Sequence, residues 1–235
     1  MKFIFKLKKI LTTTQHMNNH KKEYLATVLE VRSLSESAFI IRFEKKEMNF
    51  KAGQYVKLGT QDHPERREYS IYSPVTAPYL EVLVQLVDEA SFSFYLSELR
   101  PGDHLFVKGP FGSFNLEDTS ARDKNIFIAS GTGISPFHCM VLTNPELNYT
   151  LLHGVRNLEE GYERMSYQEG RYIQCTSAEN GSEFYGRVTD YLQKYKPDAT
   201  AHYYLCGNSA MINEVWNLLK LADVPVDSIH AEIYF

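Results

Sequence analysis

Residues 125–136 read Asn125-Ile-Phe-Ile-Ala129-Ser-Gly131-Thr-Gly133-Ile-Ser-Pro136. An apolar run of strand type enters a Gly-Thr-Gly turn, and Pro136 suits the first turn of a following helix. A strand that feeds a helix through glycines opens a βαβ unit. The rhythm continues downstream. Residues 149–153, 171–175, 202–206 and 228–234 read as strands, and 188–194 and 210–221 as helices. In the last helix Met211, Val215, Leu218 and Leu219 share one face. Residues 122–235 are therefore expected to form a five-stranded parallel α/β domain. In an open parallel sheet, ligands sit beyond the carboxyl ends of the strands where strand order reverses. The turns Gly131-Thr132-Gly133 and Gly207-Asn208-Ser209 are expected to flank that crevice.

Upstream, residues 117–124 (EDTSARDK) read as a polar linker. Before it the character changes. Stretches 25–31, 38–43, 53–58, 68–72, 80–87 and 105–108 are β-rich and separated by turn residues at short intervals. Residues 22–117 thus predict an antiparallel sandwich or barrel. One helix-like piece, 93–99, interrupts them, with Ser93 at its N-cap and Pro101-Gly102 as its stop. Residues 1–21 form a separate leader. Its lysines at 2, 6, 8 and 9 break any apolar core, and no small-residue cleavage site follows, so a secretory signal is not expected. A disordered tail, an upstream start before Met17 and a short basic amphipathic helix all fit it.

Composition narrows the function. The chain has 235 residues, 43% of them apolar, and a net charge of −4. Residues 1–24 hold six lysines against one glutamate, and the remainder holds 19 basic against 28 acidic side chains, a net of −9. So acidic a body argues against nucleic-acid binding. Cys139, Cys175 and Cys206 are widely spaced, with no CxxC and no Cys/His cluster, which excludes a structural zinc or an iron–sulfur cluster on these residues. A sparse, odd cysteine count suits a reducing cytoplasm. No run approaches the roughly 20 apolar residues of a membrane span. No GxSxG or HExxH motif points to a hydrolase.

Several short motifs can carry chemistry. The Gly131 turn lets backbone approach a phosphate at a helix start. It is not a GxGxxG fingerprint, because Pro136 takes the last position, and a plain tight turn explains it as well. Arg67-Glu-Tyr69-Ser70 sets a guanidinium and a phenol ring on one side of a strand, a phosphate clamp beside a stacking platform. An ordinary exposed strand has the same pattern. Ala90-Ser91-Phe92-Ser93 precedes the short helix, where its amides suit a pyrophosphate or simply a cap. Cys206-Gly207-Asn208 ends a strand, and Glu232-Ile-Tyr234-Phe235 follows in the last one. A cysteine in that setting also serves as a small apolar core residue.

The order of these motifs is more specific than any of them. RxYS, a capped short helix, GPFGSF, GTGISPF, HGVR, CGN and a final E-x-Y-F follow one another across residues 22–235. That order resembles the ferredoxin/flavodoxin–NADP⁺ reductase family of flavoproteins. The resemblance implies a Greek-key antiparallel barrel that binds FAD over 22–117 and an NAD(P)-binding α/β domain over 122–235. It implies that Tyr69 stacks on the flavin with Ser70 near its N5, and that Arg67 contacts the flavin phosphates. Ile71, Tyr72 and Ser73 count among the FAD contacts, with Ala90, Ser91, Phe92 and Ser93 at the pyrophosphate. Gly131, Thr132, Gly133, Gly207, Asn208 and Met211 would border the nicotinamide nucleotide. Cys206 would lie near the nicotinamide, Glu232 near the flavin, and Tyr234 or Phe235 over the other flavin face. Ser70, Cys206 and Glu232 are the residues expected in catalysis, and no metal is expected.

The chain departs from the pattern at two points. Ala90 stands where the family often has glycine. Ser177-Ala178 stands where many NADP-dependent members have Ser-Arg for the 2′-phosphate. Arg156 and Arg187 match other basic positions of the bacterial reductases, so NADP(H) is expected as the nicotinamide cofactor, with NAD(H) the alternative. The implied activity is hydride exchange between NADP(H) and FAD, with single electrons passing to or from a small acidic carrier, ferredoxin or flavodoxin. Lys45, Lys46, Arg66 and Arg67 would form its docking patch on a monomer. An NADH-dependent reductase component serving an oxygenase or cytochrome, and a non-catalytic electron-transfer subunit, are the alternatives.

Overall fold

The computed structural model describes residues 23–63, 65–89, 91–116 and 123–234. The leader, Ala90, the linker residues 117–122 and Phe235 lie outside the described residues, and with them the readings made there.

Six strands form the first sheet: β1 (Glu23–Ser33), β2 (Ala38–Glu44), β3 (Tyr55–Gly59), β4 (Arg67–Ser70), β5 (Tyr79–Gln85) and β6 (His104–Phe111). Their order is β4-β3-β6-β1-β2-β5, and every pairing is antiparallel. A single bridge between Ile71 and Val82 joins the ends and closes the barrel. Strands β2 and β5 are buried on both faces. Phe39, Ile41 and Phe43 with Leu80, Val82 and Val84 fill the barrel interior. Ala38, Ile40 and Leu83 point outward into a second cluster, shared with the other half of the chain. Closing a sheet into a barrel removes exposed edges, and the covered outer face explains the near-continuous apolar run in β2.

The short helix α1 (Phe92–Ser97) begins two residues earlier than the sequence predicts. Its N-cap is Ser91 rather than Ser93, and the Ser91 hydroxyl accepts from the Phe94 amide. Burial of Phe92 in the barrel core pulls that residue into the helix.

The second sheet comprises β7 (Asn125–Ser130), β8 (Tyr149–Val155), β9 (Tyr172–Thr176), β10 (Phe184–Tyr185), β11 (His202–Asn208) and β12 (Ile229–Tyr234). All are parallel, in the order β10-β9-β8-β7-β11-β12. It therefore has six strands where five are expected. The addition is the two-residue edge β10, too short to show any periodicity. The Gly131 turn is a 3-10 segment leading into α2 (Ser135–Thr143), with Pro136 in its first turn. Helices α3 (Val188–Lys194) and α4 (Ser209–Leu221) cover one face through Val188, Leu192, Ile212, Val215 and Leu219. The other face carries α2 and the barrel.

That second face is the joint of the molecule. Phe127, Phe137 and Tyr204 pack with Ala38, Ile40, Leu83 and Phe114 in one cluster. Phe137 stacks on Phe127 (4.8 Å between centroids) and meets Phe114 edge-on at 5.9 Å. The His138 ring lies flat on Tyr72 at 3.7 Å, and its Nδ1 is 2.8 Å from the Tyr72 carbonyl. Burial lowers the His138 pKa to about 4, so the ring is neutral and Nδ1–H donates. Arg32 of β1 reaches Glu163 at 2.6 Å. Truncating Phe137 to alanine should cost about 3–5 kcal/mol, the range for a fully buried phenylalanine. Equilibrium urea unfolding will measure it, and a loss within ~0.5 kcal/mol would contradict the packing described.

Candidate active site

Strand order reverses between β7 and β11, and a cavity of about 530 Å³ opens at the carboxyl ends of these strands. That volume suits a nucleotide-sized ligand. Gly131 and Thr132 line it after β7, Arg156 after β8, Ser177 after β9, Arg187 before α3, and Gly207, Asn208 and Met211 after β11. With Tyr234, which also lines it, the structure brings together nine of the residues expected from sequence. The glycines are required for two reasons. Gly131 has φ +52°, and a Cβ there would meet nothing within 4 Å, so the turn faces open space. Gly133 packs so closely on Cys206 that a Cβ would overlap its carbonyl.

Asn208 pins the two glycine turns together. Its Oδ1 accepts from the Met211 amide at 2.8 Å and caps α4. Its backbone amide and Nδ2 both donate to Ser130 Oγ, at 3.1 and 3.0 Å. Ser130 went unnoticed in the sequence. Its signal is a small hydroxyl directly before the glycine turn. Among the described residues, neither the Arg156 nor the Arg187 guanidinium has an ion-pair partner.

Strand β12 links this cavity to the barrel. Its parallel register sets Cys206 beside Glu232 and Asn208 beside Tyr234. Ala231 and Ile233 face the α3/α4 side. His230, Glu232 and Tyr234 alternate with them and face the joint. Ser70 Oγ, at the end of β4, donates to Glu232 Oε2 at 3.4 Å. The Tyr234 hydroxyl is enclosed among Ser70, Cys206 and Glu232, and its ring also lines the cavity. Tyr55, paired with Ser70 in the sheet, closes the barrel side, where a Cβ on Gly112 would press on its ring at 3.0 Å. Tyr55 was not visible as a site residue, because only the β3–β4 register brings it here. Desolvation raises the Glu232 pKa to about 8, opposed by the Ser70 hydroxyl, so the acid is largely protonated near neutrality.

Other expected residues are used differently. Ile71 belongs to the barrel core, Tyr72 to the joint, and Ser73 Oγ accepts from the Glu81 amide at 3.0 Å. All three side chains are fully buried. Phe92 is likewise core. Ser91 and Ser93 bond each other at 2.7 Å, and Ser93 also accepts from the Val87 amide. Their hydroxyls serve the helix cap and loop. Cys206 is wholly buried in the joint, and burial pushes its thiol far above the ordinary range. It touches the site from behind Tyr234. Arg67 is exposed, with Glu65 at 3.2 Å, and Tyr69 is half-buried against the barrel core. The expected basic patch is largely tied down. Lys45 Nζ donates to the carbonyls of Val75 and Ala77, Lys46 to that of Leu25, and Arg66 pairs with Glu23.

The donors present fit two ligands. The open glycine cradle and unpaired arginines suit a phosphate-bearing nucleotide, and the Ser70–Glu232–Tyr234 group next to Arg67 and Tyr69 suits a planar cofactor with a phosphate tail. Residues 25–116 match the family described as oxidoreductase FAD-binding domain, and residues 127–216 the oxidoreductase NAD-binding domain.

The chain belongs to the ferredoxin–NADP⁺ reductase family.

It is an oxidoreductase whose cofactors are FAD and NAD(P). It is 28% identical over 243 residues to ferredoxin–NADP reductase B of Sorangium cellulosum, covering 89% of this chain and 96% of that protein. It is 29% identical over 231 residues to the phenol hydroxylase P5 protein of Acinetobacter pittii, covering 90% of this chain but only 65% of that protein's length. Its fold resembles the crystal structure of a ferredoxin NADP⁺ reductase from Neisseria gonorrhoeae with bound FAD and NADP. The TM-score is 0.82 at 21% identity, over 91% of this chain and 99% of that one. No helix among the described residues is long and apolar enough to cross a membrane.

The raised pKa of Glu232 has a consequence for stability. The folded protein holds this proton more tightly than the unfolded chain does, so stability should fall as pH rises from about 4.5 to about 8. In FAD-free protein, Glu232→Gln should flatten that part of the thermal-midpoint profile and raise the midpoint at pH 8. An unchanged profile would show that the acid titrates normally.

Proposed function

We propose that this family member oxidises NADPH through FAD and passes electrons singly to a small acidic carrier, ferredoxin or flavodoxin, or runs the same exchange in reverse. On this reading residues 22–117 are the flavin domain, 122–235 the nucleotide domain, and the protein works as a cytoplasmic monomer. One observation carries the choice of NADPH: Arg156 and Arg187 enter the same cavity as the Gly131 turn, and neither is neutralised by a carboxylate of the described residues. Two free guanidiniums at the end of a nucleotide cavity suit a 2′-phosphate.

Bound FAD supplies the centre that takes up a hydride and releases electrons one at a time. The chain's own residues bind, orient and shield. Gly131 offers a side-chain-free approach to the dinucleotide phosphates beside Thr132, and Asn208 keeps that turn in register with Gly207. Ser70 and Glu232 hold a proton between Ser70 Oγ and Glu232 Oε2, at the place where a flavin nitrogen would need a hydrogen-bonding neighbour. Protonated Glu232 adds no negative charge there, which favours arrival of a hydride. Tyr234, backed by Cys206, excludes water on the nucleotide side. Arg67 and Tyr69 are assigned to the FAD phosphates and ring.

A second reading is an NADH-dependent reductase component of an oxygenase. Ala178 favours it, since it withdraws one cation from the 2′-phosphate position, as does the likeness to a phenol hydroxylase protein. Stopped-flow reduction of the FAD-loaded protein with NADPH and NADH decides between them. A hundredfold preference for NADH would overturn the first reading. Replacing Arg156 or Arg187 by alanine should weaken NADPH roughly ten- to a hundredfold, from the loss of about 1.5–3 kcal/mol per charge-assisted contact, and leave NADH nearly unaffected.

A further inference from the structure

Strand β8 carries a buried histidine that none of the assignments above uses. His153 lies between Ala129 of β7 and Gln174 of β9 in the sheet register and is completely buried. Both of its ring nitrogens have partners. Nε2 is 2.8 Å from the Gly131 carbonyl, and Nδ1 is 2.8 Å from the Tyr172 hydroxyl. Burial lowers its pKa to about 4, so the ring is neutral and carries one N–H. A carbonyl oxygen can only accept, so the proton sits on Nε2 and Nδ1 accepts from the Tyr172 O–H. The Tyr172 ring is itself held, stacked on Tyr167 at 5.0 Å.

The Gly131 turn is held at three points. Ser135 Oγ donates to the Thr132 carbonyl at 2.7 Å, and Gly133 abuts the Cys206 backbone. At Gly131 the residue has no side chain, its φ is positive, and nothing packs where a Cβ would stand. The imidazole is the side-chain anchor there, at the point where β7 breaks into the cavity.

We propose that His153 is a positioning residue for nucleotide binding: its Nε2–H fixes the Gly131 carbonyl and so the Gly131-Thr132-Gly133 turn, while the Tyr172 hydroxyl locks the ring orientation. The proposal rests on the reading of that turn as the dinucleotide site. A turn shifted by about 1 Å would present its amides wrongly to the phosphates, an effect that can reach a hundredfold. The effect falls on nucleotide affinity, because His153 touches neither Ser70 nor Glu232.

The test uses FAD-loaded, full-length protein, with NADPH and NADH as donors and ferricyanide as a one-electron acceptor. His153→Leu should raise the nucleotide KM roughly ten- to a hundredfold, with kcat within about threefold and FAD content unchanged. His153→Gln, whose amide can donate to the same carbonyl, should recover most of the affinity. Tyr172→Phe should raise KM by a smaller factor, and it keeps the proposal testable if His153→Leu does not fold. ¹⁵N spectra of histidine-labelled wild type should show His153 as the Nε2–H tautomer. A folded His153→Leu with wild-type KM, a His153→Gln no better than His153→Leu, a Tyr172→Phe with wild-type KM, or an Nδ1–H tautomer would each overturn the assignment alone. A wild type that takes up FAD but binds neither NADPH nor NADH would overturn the reading of the site, and this role with it.

Discussion

Ala38, Ile40 and Leu83 point out of the barrel into the cluster that holds Phe127, Phe137 and Tyr204, so the two sheets share one apolar core. Everything about the site depends on that joint. Were β2 and β5 solvated on their outer faces, the barrel would be an independent body and β4 with Ser70 would have no fixed relation to the parallel sheet. Because both faces are apolar, separating the halves would expose closely packed aromatic and aliphatic surface. The polar contacts then set orientation. His138 sits flat on Tyr72, two residues beyond Ser70, and α2 carries it directly after the Gly131 turn. One stacked pair thus ties the chain just beyond β4 to the first turns of α2.

Strand β12 converts this joint into chemistry. Its alternation sends Ala231 and Ile233 to the helical layer and Glu232 and Tyr234 to the joint. Glu232 arrives beside Ser70, 162 residues away in the chain. The carboxyl is largely desolvated and, among the described residues, has no ion-pair partner, so it keeps its proton near neutral pH. The same enclosure raises the thiol of Cys206, packed behind Tyr234, far above the ordinary range.

The nucleotide side follows a different logic. There the cavity is open, the backbone is exposed through glycines, and Arg156 and Arg187 have no ion-pair partner among the described residues. Order comes from side chains outside the cavity wall, with Asn208 bridging to Ser130 and His153 reaching the Gly131 carbonyl. Fixed carbonyls and free amides on the same turn are compatible because each peptide offers both groups and only one is needed for the ligand.

Much of this was legible in the chain itself. Strand periodicity and the glycine turn before Pro136 determined a β-rich half and a parallel α/β half, because these are local patterns with local physical causes; the cofactor class came from the resemblance carried by the order of the short motifs. Sequence also placed Gly131, Arg156 and Asn208 at strand ends, where an open parallel sheet keeps its ligands, and Arg187 just before a helix. Other features were beyond it. The edge strand β10 is too short for a period. Tyr72 and Ser73 sit in a motif yet face inward, and the lysines of the expected patch are spent on backbone carbonyls. The neighbours of Glu232, the proton it keeps and the partners of His153 come from strands far apart in sequence. Burial and pKa are properties of surroundings that only the packed sheets create, and so tertiary structure alone decided them.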